Sequence, residues 1–224
     1  MSAARFCAPR HALIAGLTAL VAGAALAQTA APSAAPAPIA ASGVVDEPAA
    51  TAEAPRRVPR WILQGPGGRA LMPLDFAGRY QLVAFGYVSC PDVCPTTMLE
   101  MQQVLAGLGE RAPKLQPIFI SVDPQRDTLP VLTEYTRAFD PRIVGLTGRP
   151  DLVDIATRAF DVTYRVVREP GAAADSNGNA YTVDHTAGLF LVGPDGQLLT
   201  RFGYGTPVAQ VVQRIQRWMD AEPR

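Results

Sequence analysis

The sequence predicts one α/β domain in which helices cover both faces of a mixed central β-sheet, with a β-hairpin added at its N-terminal end. Three observations favour this fold class. From residue 56 onward, short apolar segments alternate with amphipathic ones. The last two strand-like segments are joined by a tight turn and followed by a helix. A turn rich in glycine and proline precedes the first long strand.

The first part of the domain combines a hairpin, a buried strand and a helix. The turn signal GPGG at 65–68 lies between short segments at 61–63 and 69–72. Residues 81–87 are mostly apolar or aromatic and predict a buried strand. Helical spacing predicts a helix over 96–108, whose apolar residues are Met98, Met101, Val104, Leu105 and Leu108. The two methionines could serve as thioether ligands, but their spacing favours packing in the core.

A second strand and helix follow directly. Residues 115–122 predict another central strand, and 128–139 predict a helix. Asp127 or Thr128 is the expected N-cap, and Pro130 falls in the first turn, where a missing N–H is tolerated.

The remaining segments complete a thioredoxin-like order of elements. They are strand 143–146, helix 151–160, strand 163–167, a polar loop at 169–179, strands 188–192 and 197–202 with a turn at 193–196, and a final helix from 206 to 219. Strands that first alternate with helices and then close with a hairpin and a helix fit a thioredoxin-like sandwich.

The N-terminus predicts a targeting segment. Arg5 and Arg10 precede a small and apolar run at 12–27 that ends in Ala-Leu-Ala. This is the pattern of a secretory signal peptide with cleavage before Gln28. The alternative is an uncleaved membrane anchor, although the run falls short of the roughly 20 residues that a spanning helix needs. In either case the remainder is expected in the periplasm or cell envelope, soluble after cleavage or anchored to the inner membrane.

Residues 28–55 predict a flexible linker. They contain 11 alanines and 5 prolines and have no aromatic residue. Such a stretch cannot bury enough apolar surface to offset the entropy of ordering its backbone. The predicted organisation is therefore a signal peptide or short anchor at 1–27, a linker at 28–55 and one domain at 56–224.

The charge of the chain argues against a nucleic-acid partner. Lys plus Arg and Asp plus Glu are equal at 20 each. Two arginines and three acids precede residue 56, which leaves 18 basic and 17 acidic residues beyond it. A domain so close to neutral has no basic surface suited to a phosphate backbone. Membrane contact is expected only if the N-terminal segment is retained.

The cysteine count points to redox or metal chemistry. Cys7 lies in the predicted signal, so the mature chain keeps Cys90, Cys94 and a single histidine, His185. One close cysteine pair does not make a multi-disulfide framework, so the core must supply the stability. A plain stabilising disulfide remains an alternative, but closing so short a loop removes little chain entropy.

The cysteine loop lies where strand 81–87 leads into helix 96–108. A spacing of four can bring both sulfurs to one side, and the positive end of the helix lowers the pKa of a nearby thiol. Because Pro95 disfavours α geometry at Cys94, the residues between the cysteines are predicted to form a tight loop and not a helical turn. A thiolate at this position can bind a metal or exchange disulfides.

His185 could complete a metal site with the two cysteines. It precedes the predicted strand 188–192, which in a thioredoxin-like sandwich begins beside the cysteine loop. Two thiolates and one imidazole form a soft set of low coordination number, which suits Cu(I). The same trio with an added water could hold Zn(II), whereas Mg and Ca are disfavoured. The residues alone therefore leave Cu(I) and Zn(II) as candidate ions.

Three acidic residues are candidates for a supporting role. Asp123 and Asp127 follow strand 115–122, a usual place for functional loops in α/β sheets. N-capping and turn formation explain Asp127 equally well. Asp184 adjoins His185 and could orient its imidazole.

Three segments together carry a specific signature. They are FGYVSCPDVCPTT at 85–97, SVDPQRDT at 121–128, and VDHTA at 183–187, with PDG following at 194–196. In this order and spacing they resemble the Sco/SenC family of copper chaperones for cytochrome c oxidase assembly. The resemblance extends over 61–219, nearly the whole predicted domain.

The resemblance implies a fold, a ligand set and a partner. It implies a thioredoxin-like fold in which Cys90, Cys94 and His185 bind copper. Copper is then the expected cofactor, preferably as Cu(I), with Cu(II) as the other oxidation state. It further implies delivery of copper to the dinuclear copper site of cytochrome c oxidase subunit II, or reduction of the cysteines of that site. Another copper-receiving protein or a thioredoxin-like reductant would be further partners. Many family members have one N-terminal transmembrane helix, from which the short run at 12–27 departs.

Two enzymatic alternatives share the fold. A thiol-disulfide oxidoreductase of the cell envelope would use Cys90 and Cys94 as its redox-active pair. Thioredoxins, however, have two residues between their cysteines and a cis-proline before the facing strand, where this chain has Thr-Ala-Gly at 186–188. A peroxidase of the peroxiredoxin type would have a proline and a threonine or serine before its cysteine, and 84–90 (AFGYVSC) lacks this pattern. A metallochaperone is therefore the favoured interpretation over an enzyme.

Overall fold

A five-stranded mixed sheet forms the centre of the fold. The structure is a computed structural model that describes residues 57–168 and 181–221. The predicted signal or anchor, the linker and the polar loop at 169–179 lie outside the described residues. No helix in the two described ranges is long and apolar enough to cross a bilayer.

The described residues form nine strands and four α-helices. The strands are β1 Leu63–Gln64, β2 Ala70–Leu71, β3 Tyr80–Gly86, β4 Leu115–Ser121, β5 Val144–Leu146, β6 Tyr164–Val167, β7 Thr182–His185, β8 Leu189–Val192 and β9 Leu198–Phe202. The helices are α1 Val93–Leu108, α2 Leu129–Phe139, α3 Pro150–Ala159 and α4 Val208–Ala221.

The order of strands in the central sheet is β5-β4-β3-β8-β9. β3 pairs with β4 in parallel, and β4 with β5 in parallel, whereas β8 runs antiparallel to β3. The loops that follow β3 and β4 therefore leave the same edge of the sheet. Because Leu189 at the start of β8 pairs with Ala84 near the end of β3, the residues before β8 reach that edge as well.

The sheet divides the core into two apolar layers. Alternate residues of β3 point to opposite faces, so Val83 and Phe85 join one layer while Leu82 and Ala84 join the other. One layer packs the sheet against α1, α2 and α4. The other packs it against α3, the β1–β2 hairpin and β7. Helices thus cover both faces, and the fold class predicted from the sequence is confirmed.

Most predicted elements are present, with ends displaced by one to three residues, but two predictions about the site segments were wrong. Helix α1 begins at Val93, so Cys94 lies inside its first turn and not in a loop before it. Pro95 is the third helical residue, where its missing N–H would have had no intrahelical partner anyway. Strand β7 was not predicted, so His185 ends a strand of its own instead of merely preceding β8.

Candidate metal centre

Cys90 lies in the connection between β3 and α1, and Cys94 lies in the first turn of α1. The amide of Cys90 donates a hydrogen bond to the carbonyl of Tyr87 at 3.3 Å. This turn brings Cys90 to the N-terminal end of the helix. There the amide of Cys94 donates to Cys90 Sγ at 3.4 Å. Cys90 is half-buried and Cys94 is buried, and both are free thiols. The sequence thus places one accessible and one enclosed sulfur at a helix N-terminus.

The two sulfurs have opposite acidities. A hydrogen bond from the Cys94 side chain is the main cause that lowers the pKa of Cys90 to about 3, against the effect of burial. His185 and the amides of Asp92 and Cys94 lower it further. The same hydrogen bond and burial raise the pKa of the Cys94 thiol. At neutral pH, Cys90 is therefore a thiolate that accepts a hydrogen bond from the Cys94 thiol.

His185 completes a group of three donor side chains. Its Nε2 lies 3.5 Å from Cys94 Sγ, although 91 positions separate the two residues in the chain. Its Nδ1 lies 3.2 Å from the carbonyl oxygen of Thr186. Because a carbonyl only accepts, Nδ1 is the donor in this contact, and Nε2 is the ring nitrogen that faces the sulfur. An edge-on contact with the Tyr87 ring, with centroids 6.2 Å apart, packs the imidazole from the side.

The donor set fits a soft metal ion better than a hard one. Two sulfurs and one imidazole nitrogen match the ligands that Cu(I) prefers, and no carboxylate belongs to the group. Within the described ranges, no three histidine, cysteine or acidic side chains lie close enough together to bind a metal ion without moving. An ion bound by this trio would therefore need the three donors to converge.

Asp127 supports the cysteine turn from the neighbouring loop. Its Oδ2 accepts hydrogen bonds from the amide of Val88 (3.1 Å) and from the hydroxyl of Ser121 (2.6 Å). The buried carboxylate therefore links the end of β4 to the turn that precedes Cys90. Burial raises the pKa of Asp127 to about 6 despite these hydrogen bonds. The N-cap position of α2 belongs to Thr128, so capping does not account for Asp127.

Asp123 and Asp184 occupy very different surroundings. The buried Asp123 accepts a hydrogen bond from the hydroxyl of Tyr181 at 2.9 Å and forms an ion pair with Arg126. Asp184 is exposed and pairs with Arg165 of the neighbouring strand at 2.9 Å. The imidazole of His185 contacts the Thr186 carbonyl instead of Asp184. The structure thus connects Asp123 to the strand that carries His185 and directs Asp184 towards solvent.

Gly86 provides the space for the buried thiol. A Cβ at this position would lie 2.7 Å from Cys94 Sγ and 2.9 Å from the ring of Phe119. Both distances are below any that packed carbon atoms adopt, so a side chain here would displace the thiol. Met98 and Met101 are fully buried in the layer formed with α1, as the packing interpretation predicted.

Sequence reasoning missed the aromatic and cationic side chains around the trio. The guanidinium carbon of Arg126 lies 3.8 Å from the ring centroid of Tyr181 and 5.4 Å from that of Tyr87. The hydroxyl of Tyr87 accepts a hydrogen bond from the amide of Val183 at 3.3 Å. Tyr87 and Arg126 lie within the signature segments, which was the one signal that could have singled them out.

The chain matches a known protein family over most of its length. A family model described as SCO1/SenC matches residues 49–220. The human protein SCO1 homolog, mitochondrial, is 36% identical over 175 residues, which cover 75% of this chain and 56% of that protein. The chain thus spans a little over half the length of the curated relatives it matches.

Two solved structures extend the comparison to three dimensions. Arabidopsis thaliana ScoI with copper bound is 27% identical, with a TM-score of 0.66 over 73% of this chain and 98% of that one. Bradyrhizobium japonicum ScoI with copper bound is 33% identical, with a TM-score of 0.63 over 72% of this chain and 99% of that one. Both likenesses confirm the thioredoxin-like fold predicted from the order of elements.

Proposed function

Because this chain belongs to the SCO1/SenC family, we propose that it is a copper metallochaperone that holds the ion through Cys90, Cys94 and His185. The observation that carries the proposal is the 3.5 Å approach of His185 Nε2 to Cys94 Sγ across 91 positions of sequence. Copper bound in the two similar structures supports the choice of metal. The soft donor set supports Cu(I) as the preferred oxidation state.

The unequal exposure of the sulfurs supports transfer by ligand exchange. Copper is the cargo in this proposal, and its release requires that a donor of the receiving protein enter the coordination sphere. Cys90 is half-buried and ionised, so a partner thiolate can approach the ion from its side. Cys94 is enclosed and would keep its contact with the ion until the partner has bound. A three-coordinate ion leaves room for this exchange.

The proposed receiver is the dinuclear copper site of cytochrome c oxidase subunit II. The family resemblance of the three signature segments supports this partner, and another copper-receiving protein would require the same exchange chemistry. The signal pattern at 1–27 supports a periplasmic or cell-envelope location, with membrane attachment if that segment is retained. A linker at 28–55 would then let the domain at 56–224 reach its partner.

Replacing His185 with Ala should weaken Cu(I) binding without abolishing it. The change removes the one nitrogen donor and leaves both thiols in place. The reduced protein is titrated with Cu(I) against a chromogenic chelator of known affinity. We expect one tightly bound ion per wild-type chain, and at least a tenfold weaker affinity in the variant, which corresponds to about 1.4 kcal/mol.

The matched control is Thr182→Ala, an exposed position at the start of the same strand. It should bind as the wild type does. Wild-type protein that fails to compete for Cu(I) would contradict the copper proposal. Equal affinity in wild type and His185→Ala would remove the histidine from the ligand set.

The asymmetry of the thiols also favours a second candidate function, a thiol-disulfide oxidoreductase. The Cys90 thiolate would attack a substrate disulfide and release one of its sulfurs as a thiol. Cys94 would then attack the mixed disulfide, so that the second substrate sulfur leaves and a Cys90–Cys94 disulfide remains. The substrate disulfide is reduced by two electrons and the cysteine pair is oxidised by two, and a thioredoxin-like reductant would restore the thiols.

The reduced protein should then convert a disulfide-bonded peptide to its dithiol form with one turnover per chain. Mass spectrometry of the quenched mixture would show the peptide heavier by two hydrogen atoms and the protein lighter by two. With Cys94→Ser, the reaction should stop at the mixed disulfide. Peptide that stays oxidised over hours in the presence of the wild type would exclude this candidate.

A further inference from the structure

The strand that carries His185 does not belong to the central sheet. Among the residues that the structure describes, β7 pairs only with β6, in a separate two-stranded sheet in which His185 lies opposite Tyr164. The two cysteines are attached to β3 of the central sheet through the turn that begins at Tyr87. The distance between imidazole and sulfur therefore depends on contacts that fix β7 relative to β3.

Arg126 makes the central contact between these two parts. Its side chain is 5% exposed and forms an ion pair with Asp123, which follows β4 of the central sheet. Its Nη1 donates to the backbone carbonyl of Tyr181 at 3.1 Å, one residue before β7 begins. Its guanidinium carbon lies 3.8 Å from the centroid of the Tyr181 ring. A single buried cation thus connects the central sheet to the backbone that enters β7.

Two hydroxyl groups extend this connection along β7. The hydroxyl of Tyr181 donates to Asp123 Oδ1 at 2.9 Å, so the aromatic ring is attached to the same carboxylate as the cation. The hydroxyl of Tyr87 accepts from the amide of Val183 at 3.3 Å. Since Val183 lies two residues before His185, its side chain and that of the histidine point to the same face of the strand.

The geometry points to Arg126 as a positioning residue that holds the imidazole of His185 over the cysteine pair. This inference rests on the proposed copper function and names a residue of that site that touches neither sulfur nor imidazole. The planar fork of arginine suits the task, because it binds a carboxylate and a carbonyl while stacking on a ring. Lysine would keep the charge but would lose the fork and the stacking.

The test compares Arg126→Lys with the wild type in the presence and absence of His185. Loss of an outer partner of a metal ligand typically weakens metal binding by about 10–100-fold. We expect Arg126→Lys to weaken Cu(I) binding within that range when His185 is present. In a His185→Ala background the same change should weaken binding less than about threefold, since there is no imidazole left to position. Equal losses in the two backgrounds would overturn the inference.

A second measurement uses copper-free protein and so does not depend on the proposed function. The chain has two histidines. The long-range proton–nitrogen NMR spectrum of His185→Ala contains only the signals of the other histidine, so the signals that it lacks belong to His185. In the wild type, the spectrum should show His185 protonated at Nδ1. In Arg126→Lys, the imidazole should exchange between tautomers or shift its signals clearly. Unchanged imidazole signals would overturn the positioning role, whereas failure of the wild type to bind Cu(I) would contradict only the copper function.

Two further variants separate positioning from general stability. Tyr181→Phe removes one hydroxyl and keeps the Arg126–Asp123 pair, so it should fold. It should shift the imidazole signals in the same direction as Arg126→Lys does, but by a smaller amount. Arg142→Lys alters another arginine–aspartate pair, in which Arg142 binds Asp140 at 2.6 Å beyond the end of α2. It should leave the His185 signals and the Cu(I) affinity unchanged. A change in the His185 signals with Arg142→Lys would indicate a global effect and overturn the inference.

Discussion

Cys94→Ser should abolish retention of Cu(I). The substitution replaces a soft sulfur by a hydroxyl that stays protonated at neutral pH, and Cu(I) has little affinity for such a group. It also removes the donor that lies between Cys90 and His185, so the two remaining donors no longer share a neighbour. We expect a loss larger than the roughly 100-fold upper range for changes outside the coordination sphere. Competition with a chromogenic chelator measures it, and Cys90→Ser should behave alike.

Met98→Leu is the matched control for the cysteine variants. It removes a sulfur from the same helix, at a fully buried position in the core layer. Because the thioether packs against apolar side chains, the variant should retain Cu(I) as tightly as the wild type. Tight retention by both cysteine variants would exclude the proposed ligands. Loss of retention in Met98→Leu would instead return the thioether to the list of candidate donors.

Gly188→Ala should cause the largest loss of stability among single methyl additions near the site. Gly188 has a φ of +129° and connects β7 to β8. A Cβ there would lie 2.4 Å from the backbone oxygen of Phe202 in β9. Unlike a side-chain tip, this oxygen cannot rotate away without breaking the β8–β9 pairing. The free energy of unfolding should therefore fall by more than the roughly 1–3 kcal/mol typical of side-chain overpacking.

Chemical denaturation of the two variants Gly188→Ala and Gly203→Ala provides the comparison. Gly203 lies beside the same backbone, but a Cβ there would meet nothing within 4 Å. Its substitution should change the free energy of unfolding by no more than about 0.5 kcal/mol, as at other open surface positions. If the two variants unfold at the same denaturant concentration, the backbone contact of Gly188 does not constrain the fold.

Periodicity and turn residues were sufficient to predict the elements that form the core. The central strands β3 and β4 are long apolar segments, and α2 has its proline in the first turn, so local patterns identify them directly. The donor trio followed from the scarcity of cysteine and histidine combined with the order of elements. The first signal lies in neighbouring residues, whereas the second lies in the composition of the whole chain.

The remaining features depend on contacts between distant residues. β7 has four residues, of which only Val183 is buried, so it has no alternating pattern long enough to be recognised. The start of α1 was placed too late because Pro95 was taken to exclude helix before it, whereas in the first turn a proline loses no intrahelical hydrogen bond. The contact of Arg126 with Tyr181 joins residues 55 positions apart. No property of either residue alone predicts that pairing.

The central position of β8 has a consequence for biosynthesis. Cys90 and Cys94 are synthesised 95 and 91 positions before His185, which itself is made shortly before β8. β8 must pair between β3 and β9, and this long-range step comes late when a chain folds from its N-terminus. A nascent or truncated chain that stops before residue 185 therefore has the thiols but no imidazole. Under the proposed function, complete coordination of copper would be restricted to chains in which β8 has entered the central sheet.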